Sequence, residues 1–276
     1  MAENAYQGKN SRGCQPLNTF EQQQILFHES ADPARFRNRR ENPFIRAKER
    51  TLACCIARHM AHHPAAGRIL EIGCGEGNNL EYVQKRLPDA TLVGLDFSLE
   101  KTAFMKHAFP FPLPICGNAL NLPFRDASFD LVLLRDLLHH VDWAREKAVA
   151  EAVRVLKTGG SIVIFESDGR TPLNRLFQFF FPAEKGLANS NPNSLRSLGI
   201  QFGAFSLRCV EGSFLLRGLG FCLGWRKGYL SPLFFFLYAL GWHWELFVEM
   251  FLPKRWGTYW MLTIRPKGLF PVSQGE

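Results

Sequence analysis

Between residues 44 and 168 the chain repeats one pattern: a short apolar run, a turn, then a stretch with helical spacing. "RILEIG" leads into "GNNLEYVQKRLP", and "ATLVGLDF" leads into "SLEKTAFMKHAF". "LPICGNAL" reads as a third strand, and "FDLVLLRDLLHHV" as a fourth running into a loop. "AREKAVAEAVRVLKTGG" reads as a helix closed by glycines, and "SIVIFES" as a fifth strand. These runs are apolar almost throughout, with no polar residue at every second place. A strand of that kind is covered on both faces, and strands joined by helices run parallel. The pattern therefore predicts an α/β fold: a Rossmann-like, mostly parallel sheet with helices on both faces.

Three regions flank or follow this core. Residues 1–43 form an N-terminal extension, polar at its start and expected to be partly disordered, with a lid around "ILFHES". Pro43 suits the first turn of a helix running to about His62, with Phe44, Ile45, Leu52, Ile56 and Met60 at helical spacing. Residues 169–276 complete the sheet. Here "NSNPNSLRSLG" reads as a polar connection and "FSLRCVEGSFLLRGLG" as a helix ended by glycine. "FCLGWRKGYL" reads as a strand, and "GTYWMLTIRP" as the last one. The total is seven strands. Two Phe-rich segments, about 169–200 and 231–254, read as apolar helical caps.

The turn after the first strand carries Gly73, Gly75 and Gly77. A dinucleotide fingerprint places its third glycine where Asn78 stands, and a Walker loop needs a Gly-Lys-Ser/Thr that is missing. Both phosphate readings lose ground. Asp96 follows about 20 residues on, at the end of the second strand, where a carboxylate can accept from ribose hydroxyls. Glu71 adds a second carboxylate just before the turn. Two acids repel a pyrophosphate and tolerate a ligand carrying positive charge.

These residues resemble motif I, E-x-G-x-G-x-G, of the class I S-adenosylmethionine-dependent methyltransferases. "LVGLDFS", "GNALNLPFRDASFDLVLL" and "RVLKTGGSIVIFE" resemble the family's later motifs, in the same order. The resemblance implies S-adenosylmethionine as cofactor and a role for each matching residue. Gly73, Cys74, Gly75 and Gly77 would let the backbone pack under the methionine part. Glu71 would orient that turn or hold the ammonium. Asp96 would bind the ribose, and Phe97 would pack on the adenine face. Asn118 and Ala119 would meet the adenine edge, with Asn118 standing where the family often has Asp. Arg135 would lie under the cofactor.

Methyl transfer from a sulfonium is an in-line displacement that needs orientation and exclusion of water, and no metal. A base helps when the acceptor is a hydroxyl. His139 and His140, after the fourth strand, are the leading candidates for proton transfer. His28, Asp168 and His243 are weaker ones. A nicotinamide-dependent oxidoreductase and an inactive methyltransferase-like binding module remain as competing readings.

Composition narrows the partner. The chain has 276 residues, a net charge of +8 and 25 phenylalanines. The charge, concentrated in "ARFRNRRENPFIRAKER", raises nucleic acid as an alternative substrate. However, the [DN]-P-P-[YFW] tetrad of many amino-directed base methyltransferases does not occur. The Phe-rich caps favour a small hydrophobic or aromatic acceptor: a quinone, polyketide, lipid or other natural product. They are open to two further readings, core completion and a membrane-touching or homodimer face. No two of the seven cysteines have CxxC spacing, and no apolar signal core is present. The expectation is a cytoplasmic chain with free thiols and no metal, possible contact with a membrane surface being left open.

Overall fold

The structure is a computed structural model, and it describes residues 28–61, 67–211 and 257–266, with single residues between 236 and 251. The strand expected at "FCLGWRKGYL" lies outside the described residues, as do residues 1–27.

Among the described residues, helices α1 (Pro33–Glu41) and α2 (Pro43–Met60) precede the sheet. Then β1 (Arg68–Ile72), α3 (Asn78–Arg86), β2 (Thr91–Asp96), α4 (Leu99–Ala108) and β3 (Leu113–Cys116) alternate. They are followed by β4 (Phe129–Arg135), α5 (Arg145–Arg154), β5 (Leu156–Ser167), α6 (Pro172–Phe180), α7 (Pro192–Phe202), β6 (Gly203–Glu211) and β7 (Tyr259–Pro266). The sheet order is β3-β2-β1-β4-β5-β7-β6. Strands β1 to β5 pair in parallel, and β7 is antiparallel to both β5 and β6. Strand order reverses direction at β1 and β4, which places a crevice above their carboxyl ends.

Alternation along each strand divides the core in two. Leu70, Ile72, Val132, Leu134, Ile162 and Ile164 face α5 and α7. Ile69, Leu131, Leu133, Val163 and Phe165 face α2, α3 and α4. On α2 the predicted helical stripe is confirmed at Leu52, Ile56 and Met60, all buried. Full burial of such side chains is worth about 1.5–3 kcal/mol each.

Three expectations need correction. "FSLRCVE" is strand β6, not a helix. Phe205, Leu207 and Cys209 alternate inward against the core while Ser206 and Arg208 alternate away, a period of two. The polar "NSNPNSLRSLG" is the start of helix α7. Asn191 accepts hydrogen bonds from the Asn193 and Ser194 backbone N–H groups, Ser194 answers the Asn191 N–H, and Pro192 occupies the first turn. These cap residues look like a loop because capping needs the same short polar side chains. Finally, α5 ends at Arg154, ahead of the expected glycines. Phe129 pairs with Leu156 and Leu131 with Ser161, so "KTGG" is an excursion within β5.

Candidate functional site

The glycine turn sits where β1 ends between β2 and β4. The N–H groups of Gly73 and Cys74 both donate to the Leu95 carbonyl, at 2.7 and 3.0 Å. Gly73, Gly75 and Gly77 all have positive φ, at 75°, 54° and 80°. A Cβ on Gly77 would lie 2.5 Å from Met105 Sδ, whereas a Cβ on Gly75 would meet nothing within 4 Å. Gly77 is thus fixed by packing, and Gly75 is the position where the backbone stands open.

Asp96 ties this turn to β2. Its Oδ2 accepts from Gly75 N–H at 2.8 Å and its Oδ1 from Ser98 N–H at 3.0 Å. Ser98 in turn caps α4 by accepting from the Lys101 N–H. Burial raises the Asp96 carboxyl above its ordinary value, and these backbone donors pull the other way. Beside it Phe97 is 39% exposed, so it is not a core residue. Asn118 is exposed, and its Oδ1 accepts from the Leu120 N–H at 2.8 Å, so the oxygen expected to meet an adenine amine already serves its own turn. Ala119 packs against the core.

Behind the turn lies a buried polar group set. Glu71 is 2% exposed; its Oε1 accepts from Asn79 Nδ2 at 2.7 Å. Among the described residues, Glu71 Oε2, Asn79 Oδ1 and both amide atoms of Asn78 are buried without a hydrogen-bond partner. Four such atoms together are costly unless a ligand or water completes them. Burial pushes the Glu71 carboxyl up to about 7. Burial also raises the Cys74 thiol well above its normal value, which makes Cys74 an inert filler.

Arg135 does not stand open beneath this pocket. Its guanidinium grips both carboxylate oxygens of Glu49 on α2, with Nη2–Oε1 at 2.7 Å. That ion pair anchors α2 to the end of β4. His139 is similarly engaged. Its Nδ1 meets Glu166 Oε2 at 2.8 Å and its Nε2 meets Glu184 Oε2 at 3.3 Å. Burial opposes its charge, yet the two carboxylates prevail and raise it to about 10. Both ring nitrogens of His139, one of the two histidines expected to move a proton, are thus engaged by carboxylates that favour its charged form. Asp168 is bound by its neighbour Arg170 at 2.7 Å, and exposed His243 bonds the Ala239 carbonyl at 2.7 Å.

Sequence reasoning missed Glu49, Glu166 and Glu184, because nothing local marks a carboxylate whose partner is distant in the chain. It also placed His28 in a lid without saying what the lid touches. The Ser98 hydroxyl donates to the Glu29 carbonyl, and the Asp32 N–H donates to Glu76 Oε1 at 3.2 Å. The His28 ring lies 4.2 Å from that of His140. Residues 28–32 therefore cross the carboxyl ends of β2 and β4 beside the glycine turn. The arginine cluster lies elsewhere: Arg40, Arg46, Arg50, Lys85 and Arg86 line a cavity of about 400 Å³ with Glu81, which pairs with Arg40 and Lys85.

A seven-stranded sheet in this order, with a glycine turn clasped by an acid at the end of β2, defines the class I methyltransferase architecture. Residues 70–164 match the protein family described as a methyltransferase domain. The fold of this core is that of the class I methyltransferases, and its sequence is similar to a methyltransferase domain over those residues. The chain is 34% identical over 143 residues to the phthiotriol/phenolphthiotriol dimycocerosates methyltransferase of Mycobacterium tuberculosis, covering 46% of this chain and 53% of that one. It is 37% identical over 120 residues to the demethylmenaquinone methyltransferase of Roseiflexus castenholzii, covering 42% and 50%. The chain thus spans about half the length of these curated relatives. In fold it is similar to the plantazolicin methyltransferase BpumL in complex with SAH, at a TM-score of 0.54 and 18% identity, covering 90% and 94%. It is also similar in fold to phosphoethanolamine N-methyltransferase 2 of Haemonchus contortus, at a TM-score of 0.55 and 16% identity, covering 78% and 52%.

Proposed function

We propose that this chain transfers a methyl group from S-adenosylmethionine to a small hydrophobic acceptor: a quinone, polyketide, lipid or similar natural product. One observation carries the reading. The open Gly75 backbone is clasped by Asp96 next to four buried polar atoms of Glu71, Asn78 and Asn79 that have no partner among the described residues. Those residues fit the cofactor. Asp96 would take the ribose hydroxyls on the lone pairs that the backbone leaves, exposed Phe97 would stack on the adenine, and Glu71 would face the ammonium. Asn118 would contribute its NH₂ group, and Ala119 an apolar edge. Glycines 73, 75 and 77, with Cys74 between them, let the backbone come close. Arg135 acts at one remove, by holding α2.

When bound, the cofactor supplies an activated methyl group on a positively charged sulfur. The residues of this chain then orient the acceptor in line and keep water out. His140, rather than His139, is the histidine assigned to proton transfer. The hydrophobic acceptor is supported by α6, where Leu176, Phe179 and Phe180 are 54%, 80% and 65% exposed. Such side chains do not finish a core. Relatives named for a lipid and a quinone agree with that chemistry. Among the described residues no helix is long and apolar enough to cross a membrane, and we assign contact with a membrane surface, at most, to these Phe-rich segments.

Calorimetric titration with S-adenosylmethionine, S-adenosylhomocysteine and NAD tests the reading. We expect micromolar binding of the first two and none of NAD. Asp96→Ala should weaken that binding by about tenfold or more, the worth of charge-assisted hydrogen bonds. A folded chain that binds neither sulfur compound, or an Asp96→Ala variant with unchanged affinity, would overturn it.

A further inference from the structure

Three side chains from separate parts of the sequence converge beside the proposed site. His28 comes from the segment crossing the sheet ends, His140 from the loop after β4, and Glu184 from the 3-10 turn Pro182–Asn189. One ligand atom from each lies within 4.8 Å of the other two, and all three residues are half-buried. We propose that His28, His140 and Glu184 form a binding site for a first-row divalent transition ion, of which Zn²⁺ is the natural probe.

Two imidazoles and one carboxylate select such ions over Mg²⁺ or Ca²⁺, which prefer oxygen donors. Ligand bonds to zinc are about 2.0–2.2 Å long, so the donor atoms have to draw together by about an ångström. The surroundings favour that closure. The turn bearing Glu184 is packed tightly: a Cβ on Gly186 would lie 1.9 Å from the His139 carbonyl oxygen. Arg145 holds the turn's backbone through the Gly186 and Asn189 carbonyls, both at 3.1 Å. One oxygen of Glu184 is oriented by His139, which is itself bonded to Glu166, and this leaves the second oxygen for the ion. Outer partners of this kind, a carboxylate aligning a histidine aligning a ligand, fix metal sites in general.

The ion would do two things. It would pin residues 28–32 across the carboxyl ends of β2 and β4, adding to the contacts that Glu29 and Asp32 make there. With three protein ligands it would also keep a position open. With the ion bound, His140 would act through it instead of taking the proton itself: an acceptor hydroxyl in the open position would lose its proton more readily, a consequence that rests on the methyl-transfer reading; the ion's binding does not.

The test is titration of the untagged full chain with Co²⁺, followed by its visible ligand-field absorption, and with Zn²⁺ by calorimetry. One equivalent should bind saturably. His140→Ala and Glu184→Gln should each weaken binding by about tenfold or more. His107→Ala, on the exposed side of α4, should change nothing. Glu184→Gln keeps the side chain's shape, so its result stands if an alanine variant folds poorly. Absence of saturable binding to the native chain overturns the proposal, as does binding undiminished in both variants. Neither result bears on cofactor affinity, which the S-adenosylmethionine titration reads separately.

Discussion

At Gly75 and Gly77 the same residue type answers two different demands. Both have positive φ, which costs a residue with a Cβ about 1–2 kcal/mol. Only Gly77 also lacks room, since its missing Cβ is replaced by the buried Met105 side chain. Gly75→Ala should therefore leave a well-folded chain, slightly less stable, that no longer admits S-adenosylmethionine. Gly77→Ala should lose about 1–3 kcal/mol more, because Met105 has to move inside a filled core. Thermal melts with and without S-adenosylhomocysteine separate the two. Equal destabilisation by both substitutions would show that the turn is not packed as described. The glycines themselves were readable from their spacing. Which of them is filled by packing was not, because that depends on a methionine in another helix.

The elements are joined by a few buried charges, and the Arg135–Glu49 pair is the clearest. Side-chain exposures are 7% and 2%, and both guanidinium arms are used. Removing one partner strands a charge in the interior, which costs about 3–5 kcal/mol. Glu49→Ala should lower stability by that amount, and Glu49→Leu with Arg135→Met should recover most of it. Denaturant titration of the single and double variants measures the coupling; additive losses would mean that the two side chains do not act as a pair. Helix α2 and strand β4 were each recognised by their apolar spacing. Their connection was not, since Glu49 lies on a helix crowded with arginines and reads as one more surface acid. Strand β6 was misread for a related reason. Its apolar side chains alternate with a polar serine and an arginine, and the run continues into "GSFLLRGLG", which suggests helix when read alone.

For the whole molecule, two buried groups contribute strongly to how stability varies with pH. Glu71 is raised from 4.5 to about 7, so the folded chain keeps a proton that the unfolded chain has released. Stability from this group falls as pH rises from 4.5 through about 7. His139 is raised from 6.5 to about 10; its contribution is complete below 6.5 and is lost as pH climbs through about 10. Both act in the same direction. Glu71→Gln removes the first, so its stability relative to the native chain should improve by roughly 2–3 kcal/mol between about pH 5 and about pH 8. Urea unfolding at the two pH values gives that difference. A native chain and a variant with parallel pH profiles would show that Glu71 ionises as an ordinary surface acid.

Apolar runs, helical spacing and the E-x-G-x-G-x-G turn are local, and they determined the parallel core and the place of its glycine turn at the carboxyl end of β1. Each of those signals lies within one strand–turn–helix unit, where neighbours in sequence are neighbours in space. The tertiary structure alone decided what the long-range charges do. It turned Arg135 toward Glu49 and closed His139 between Glu166 and Glu184. It also brought His28, His140 and Glu184 to one point. Pairing of this kind depends on how the sheet orders its strands, and strand order is not encoded in any single stretch of chain.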